Sequence, residues 1–228
     1  MKNHSLLGVV LGMMCVLSSL NVHAAHVKVR NEMVPHEPIR VIADGTLEAT
    51  PKKVWENMIR FNDYASFMPH VMQSYFISEE GVNALRAIPT SKSSKAANKL
   101  AQAYRIESPR RQGVLWNGHI FMAVNMPFPV ENRWYILAVE QDERQASRQE
   151  YKRCWSYVTG NIDSAHGCWS VAPSEIEGQS QLHYEDNVSP GGHVPQWISK
   201  IGATQTVPEM FESLEKVSQP VVAMKGGD

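Results

Sequence analysis

The stretch GGHVPQWISKIGATQTVPEMFESLEKV, residues 191–217, decides how the rest of the chain is read. Val194, Trp197, Ile198, Ile201, Val207, Met210, Phe211, Leu214 and Val217 recur at steps of mostly three and four, which lays a broad apolar stripe along one side of a helix. At about 1.5 Å per residue this helix runs roughly 35 Å, long enough to cross an antiparallel sheet. Pro208 lies inside the pattern, where it removes a backbone donor and crowds the carbonyl four residues back. Together with Gly202 it predicts a weak point in the helix.

Upstream residues supply the sheet. Strand-like runs fall at 39–48, 71–78, 82–88, 114–124, 133–141, 149–159, 168–173 and 181–188, with turns carrying Pro127, Pro129, Gly160, Gly167 and Gly178. Glu79-Glu80-Gly81 reads as a hairpin turn between the second and third runs. Thr50-Pro51 reads as a helix start, N-cap followed by proline at the first helical position, and Val54, Trp55, Met58 and Ile59 form the buried face of that helix. A second short helical piece over 64–67 stops at Pro69. The sum is an α+β domain: a curved antiparallel sheet of about seven strands wrapped around a long C-terminal helix, with two short helices after the first strand. Residues 90–111 break the rhythm. Ala97, Leu100, Ala101 and Tyr104 take helical spacing among Lys92, Lys95, Lys99, Arg105, Arg110 and Arg111, a basic amphipathic segment that is either a solvated connection or, over 92–111, a transient contact with a membrane surface.

At the N-terminus, Lys2 precedes an apolar run over 6–20 that ends at Val22-His23-Ala24. This reads as a cleavable signal peptide over 1–24, too short to span a bilayer, and predicts a periplasmic or secreted protein. Residues 25–38 read as a linker or arm, 39–218 as one domain and 219–228 as a tail. Beyond the leader two cysteines remain. Cys154 falls out of phase with Tyr151, Trp155 and Tyr157, and Cys168 out of phase with Trp169. A hairpin turning around 161–166 sets the two cysteines opposite each other as a disulfide, the alternative being two free thiols on the outer face.

A formal net charge of −1 gives no overall field toward nucleic acid, and a monomer is expected. The sequence holds no Gly-x-Ser-x-Gly elbow, no His-Glu-x-x-His and no glycine-rich phosphate loop. His183 and Glu185 share a strand face but lack a third metal ligand at useful spacing. No catalytic residue, metal or cofactor is therefore assigned.

Several pieces in order carry a resemblance: Gly45-Thr46-Leu47-Glu48-Ala49-Thr50-Pro51 with Val54-Trp55; Tyr64, Phe67, Pro69 and Val71; Met126-Pro127-Phe128-Pro129-Val130 with Asn132-Arg133; Gly167-Cys168-Trp169 with Pro173; and Pro190-Gly191-Gly192-His193-Val194-Pro195-Gln196-Trp197. Over residues 39–217 the chain resembles the START-like superfamily, also called SRPBCC or helix-grip proteins. The resemblance implies a hydrophobic ligand, a lipid or similar small molecule, held between sheet and C-terminal helix. It also admits a polyketide cyclase or aromatase, and the lysine-rich segment 90–99 departs from the compact family pattern. Strand phase and the helical stripe then give the cavity candidates Met68, Met72, Trp116, Ile120, Met122, Arg133, Trp134, Trp155, Trp169, Tyr184, Asp186, Trp197 and Ile201. Six of eleven methionines (Met58, Met68, Met72, Met122, Met126 and Met210) fall near this interior and suit an adaptable lining. Arg133 or Asp186 would select a head group, Arg133 being equally open to tying down the turn that it follows, and loop 190–195 with the weak point near Gly202 and Pro208 would let the helix lift. Binding rather than catalysis is the expected activity, the alternatives being a cyclase-type enzyme and an interaction module with a filled interior.

Overall fold

The structure, a computed structural model, describes residues 26–32, 38–91, 93–192, 194 and 202–219. The leader over 1–24, Trp197, Ile201 and most of the tail lie outside the described residues. In chain order the elements are β1 (His26–Glu32), β2 (Ile39–Leu47), α1 (Pro51–Met58), a 3-10 segment (Phe61–Ser66), β3 (Val71–Ile77), α2 (Glu79–Arg86), α3 (Ser94–Gln102) and β4 (Arg105–Ile106). There follow β5 (Leu115–Val124), β6 (Arg133–Asp142), β7 (Tyr151–Gly160), β8 (Ser164–Pro173), β9 (Ser180–Ser189), a π turn (Gly202–Thr206) and α4 (Val207–Ser218). The strands form one antiparallel sheet in the order β1-β2-β9-β8-β7-β6-β5-β3-β4.

The sheet therefore has nine strands rather than about seven. Residues 26–32, read as part of a linker, form the edge strand β1 along all of β2. Val27 and Val29 alternate there with Lys28 and Arg30, apolar toward the core and charged on an edge that must not pair further. Residues 82–88, read as a strand after a hairpin turn, belong instead to the helix α2. The Ser78 side chain caps it by accepting from the Gly81 N–H at 3.3 Å, acidic Glu79 and Glu80 occupy the first turn and Arg86 the last, in the sense the helix dipole favours.

Both faces of the sheet are covered. On the concave side α1, the 3-10 segment and α4 close over a core that includes Trp55, Met58, Phe61, Trp169, Phe211 and Leu214. On the convex side α2 and α3 bury a second core of Tyr75, Ile77, Phe121, Trp134 and Ile136 against Val82, Leu85, Ala97 and Ala101. The far end of α4 is tied down: its Glu215 accepts from the Glu48 N–H at 2.6 Å, and Asn57 of α1 donates to the Val217 carbonyl and the Ser218 hydroxyl, each at 3.2 Å. Its near end begins as the π turn, with Pro208 in the first α-helical turn.

Cys154 and Cys168 face each other in the β7–β8 register and are joined as a disulfide. The bond closes a short hairpin, so a Cys154→Ser/Cys168→Ser double variant is expected to lose about 3 kcal/mol in urea unfolding. An unchanged midpoint would mean that strand pairing alone holds the hairpin in the unfolded ensemble.

Candidate functional site

Register builds the site. Across β5 to β9 the concave-face residues Trp116, Gln141, Arg153, Trp169 and Tyr184 stand side by side. The next concave row toward the other end of the strands holds Val139, Trp155 and Asp186, and further rows hold Ile120 with Leu137 and Met122 with Tyr135, ending at Val124 with Arg133. A cavity of about 330 Å³ runs along these rows, roofed by Val207 and Met210 of α4 and by Phe61, Tyr64 and Met68. Its lining runs along β6 from Arg133 to Val139, about 20 Å of strand, so the space is long and slender. Half-exposed residues of the rim, among them His70, Met126, Pro127 and Pro190, mark its mouth; Arg153 and Trp169 mark its blind end.

Of the sequence candidates, Met68, Ile120, Met122, Arg133, Trp155, Trp169, Tyr184 and Asp186 line this space. Three do not. Trp134 is fully buried on the convex face, stacked on Phe121 with ring centroids 6.4 Å apart. Its strand is apolar on both faces because α2 and α3 cover the outside, so alternation could not say which side was the interior. Trp116 is on the concave face but beyond the cavity, its Nε1–H donating to Glu143 Oε1 at 3.3 Å. Met72 is surface-exposed beside a bulge in β3.

At Arg133, which lines the rim, the hydrogen bonds are those of the turn-tying reading. Its Nε and Nη2 donate to the carbonyls of Pro190 and Gly191 at 2.9 and 3.1 Å, and its Nη1 to that of Glu131 at 3.0 Å. It clamps the segment leaving β9 to the β5–β6 turn, and so holds one side of the rim. His70, at φ 59 in the left-handed region, reaches across another side to Glu209 of α4 at 3.4 Å.

Polar groups inside are few and joined. Asp186 Oδ1 accepts from Trp155 Nε1 at 3.2 Å and Oδ2 from the Tyr184 hydroxyl at 3.1 Å. Asp186 is half-buried and lines the cavity. Burial therefore pushes its carboxyl up to about 7, against the lowering effect of its hydrogen bonds to Tyr184, Trp155 and the Asn187 backbone. Burial, followed by the charge of Asp186, likewise raises the hydroxyls of Tyr184 and Tyr135. Arg153, not singled out from the sequence, donates from Nη1 to the Met58 carbonyl at 2.6 Å and to the Tyr64 hydroxyl at 2.7 Å; Tyr64 in turn donates to the Met58 carbonyl. Its guanidinium lies 4.7 Å from the centroid of the Phe61 ring. The available signal was phase, since Arg153 falls on the same strand face as Tyr151 and Trp155.

No protein-family model and no curated protein matches the sequence. Solved structures do. A STAR-related lipid transfer protein from Xanthomonas axonopodis superposes with a TM-score of 0.58 at 17% identity, covering 85% of this chain and 94% of that one. The human StarD13 lipid transfer and protein localization domain gives 0.56 at 14% identity, over 86% and 85% of the two chains. The fold is the START-like, helix-grip fold. An aromatase/cyclase, Zhui from Streptomyces sp. R1128, shares it with a TM-score of 0.52 at 13% identity over 82% of this chain and 98% of that one. In the START-like frame the cavity lies between the curved sheet and the terminal helix, where the sequence resemblance placed it.

Proposed function

We propose that this protein is an exported carrier or sequestering protein for a lipid or other hydrophobic molecule. The observation that carries the reading is the cavity itself: long, walled chiefly by Val, Ile, Leu, Met and aromatic side chains, and open at one end of a START-like fold. Burial of ligand at roughly 25 cal/mol per Å² of apolar surface supplies the affinity. Export is supported by the leader-like residues 1–24 and by the disulfide, which suits an oxidising compartment. Loading would use the rim: the Arg133 and His70 ties release, and the π turn lets the near end of α4 lift while Asn57 and Glu215 keep its far end fixed. The basic segment 92–111 would rest on a membrane during exchange.

Native mass spectrometry with solvent extraction of protein isolated from its exported compartment tests this reading. A reproducible co-purified lipid is the expected result; a clean empty mass, with no uptake from a mixed lipid extract, would sink it. A cyclase-type enzyme is the second reading, favoured by one observation, a buried carboxyl near pH 7 beside two tyrosines, poised for proton exchange. An Asp186→Asn variant that turns over no substrate but still retains ligand would favour it over a carrier.

A further inference from the structure

At the blind end of the cavity is a buried cation with more donors than the protein uses. Arg153 is 4% exposed, and its side-chain hydrogen bonds among the described residues all run through Nη1. A guanidinium has five N–H donors in a planar fork. No carboxylate among the described residues lies within ion-pair distance of it. Beside it in the β6–β7 register, Gln141 is fully buried, and among the described residues neither its amide nitrogen nor its amide oxygen has a partner. An uncompensated buried cation is expensive, and its neighbour adds unfilled polar capacity at the same place. The carboxyl that lines the cavity, Asp186, sits a row nearer the mouth and is engaged by Trp155 and Tyr184, and the buried Glu143 beyond the cavity is paired with Arg110.

These facts choose a ligand chemistry. The unused Nε and Nη2 donors form the two-pronged edge that matches one carboxylate. A phosphate monoester carries nearly two charges, whereas among the described residues that line the cavity Arg153 is the one cation at this end, with Arg133 and His70 at the rim. A space lined over about 20 Å of β6 and enclosing about 330 Å³ fits one extended chain better than a two-chain lipid.

Taking the carrier reading as its premise, we infer that the cavity receives a single-chain carboxylic acid head first, its carboxylate paired with Arg153 and its chain lying toward Met126 and Pro127. Trp155 and Trp169 line the path, so intrinsic fluorescence reports occupancy. The probes are oleate, oleyl alcohol and methyl oleate at equal chain length, below their aggregation limits, titrated into the full mature protein. Oleate is expected to bind about 10–100-fold tighter than the alcohol or ester, the range of a hydrogen bond to a charged group. Arg153→Gln should abolish that preference while leaving oleyl alcohol binding intact, which also shows that the variant is folded. Equal affinity of the wild-type protein for all three probes overturns the head-first pairing but leaves a hydrophobic carrier standing. Binding of none of the three overturns both.

Discussion

Phe211→Ala is expected to lower the free energy of unfolding by about 3–5 kcal/mol, the range for truncating a fully buried aromatic. Phe211 is the point at which the sheet grips α4. Its ring lies 5.4 Å from that of Trp169 on β8, centroid to centroid, and on the other side it fills the hollow left by Gly45 on β2. A Cβ at position 45 would come within 2.8 Å of the ring, and β2 is paired on both flanks, so neither the strand nor the helix yields freely. Gly45→Ala should therefore destabilise as well, by about 1–3 kcal/mol, as an overpacked contact. Urea unfolding followed by far-ultraviolet circular dichroism checks both. A loss under about 1 kcal/mol for Phe211→Ala would mean that α4 is held mainly by its bonds to Asn57 and Glu48 and only loosely by packing.

The grip was legible in the sequence because helical spacing of Val207, Phe211 and Leu214 has one meaning when the stripe is buried and the opposite side is polar. Strand phase was legible for the same reason in β7 and β8, where the cysteines fell together out of phase with the aromatics. Phase failed in β6. There Trp134 and Ile136 are as buried as Leu137 and Val139, since the convex face has its own helices, and a strand apolar on both sides carries no label for the cavity. It failed differently at 79–86, where Val82 and Leu85 fit a short helix as well as a strand and only the Ser78 cap and the acidic first turn distinguish them. The cavity's polar end was half legible. Asp186 was found by its phase with Tyr184, whereas phase left two readings open for Arg133 and did not single out Arg153. Which arginine is held at the rim and which inside depends on contacts between residues far apart in sequence, such as Arg133 with Pro190 and Arg153 with Met58.

Asp186→Asn is expected to stabilise the protein at alkaline pH and to leave it nearly unchanged in acid. In the folded chain burial holds the carboxyl proton up to about 7, whereas an unfolded aspartate releases it near 3.8. Between those values the native state binds the proton and the unfolded state does not, so stability falls as pH rises. The contribution is fully present below about pH 4 and lost as pH passes 7. A shift of about three units at 1.36 kcal/mol each puts the total near 4 kcal/mol. Asparagine keeps the carboxyl's shape and can still accept from Trp155 Nε1, while the Tyr184 hydroxyl can turn to accept from its amide. The hydroxyls of Tyr184 and Tyr135 beside it ionise well above this window. The difference between wild-type and variant unfolding free energies, measured at steps from pH 4 to pH 8, should therefore trace one proton. Parallel curves would show instead that water reaches Asp186 and that it ionises like a surface aspartate. If the difference appears, the cavity's charge changes near neutrality, from Arg153 alone in acid to Arg153 opposed by Asp186 in base. An anion seated on Arg153 must then meet that second charge. Bound oleate should accordingly move the Asp186 midpoint upward, and rising pH should loosen the ligand by the same linkage.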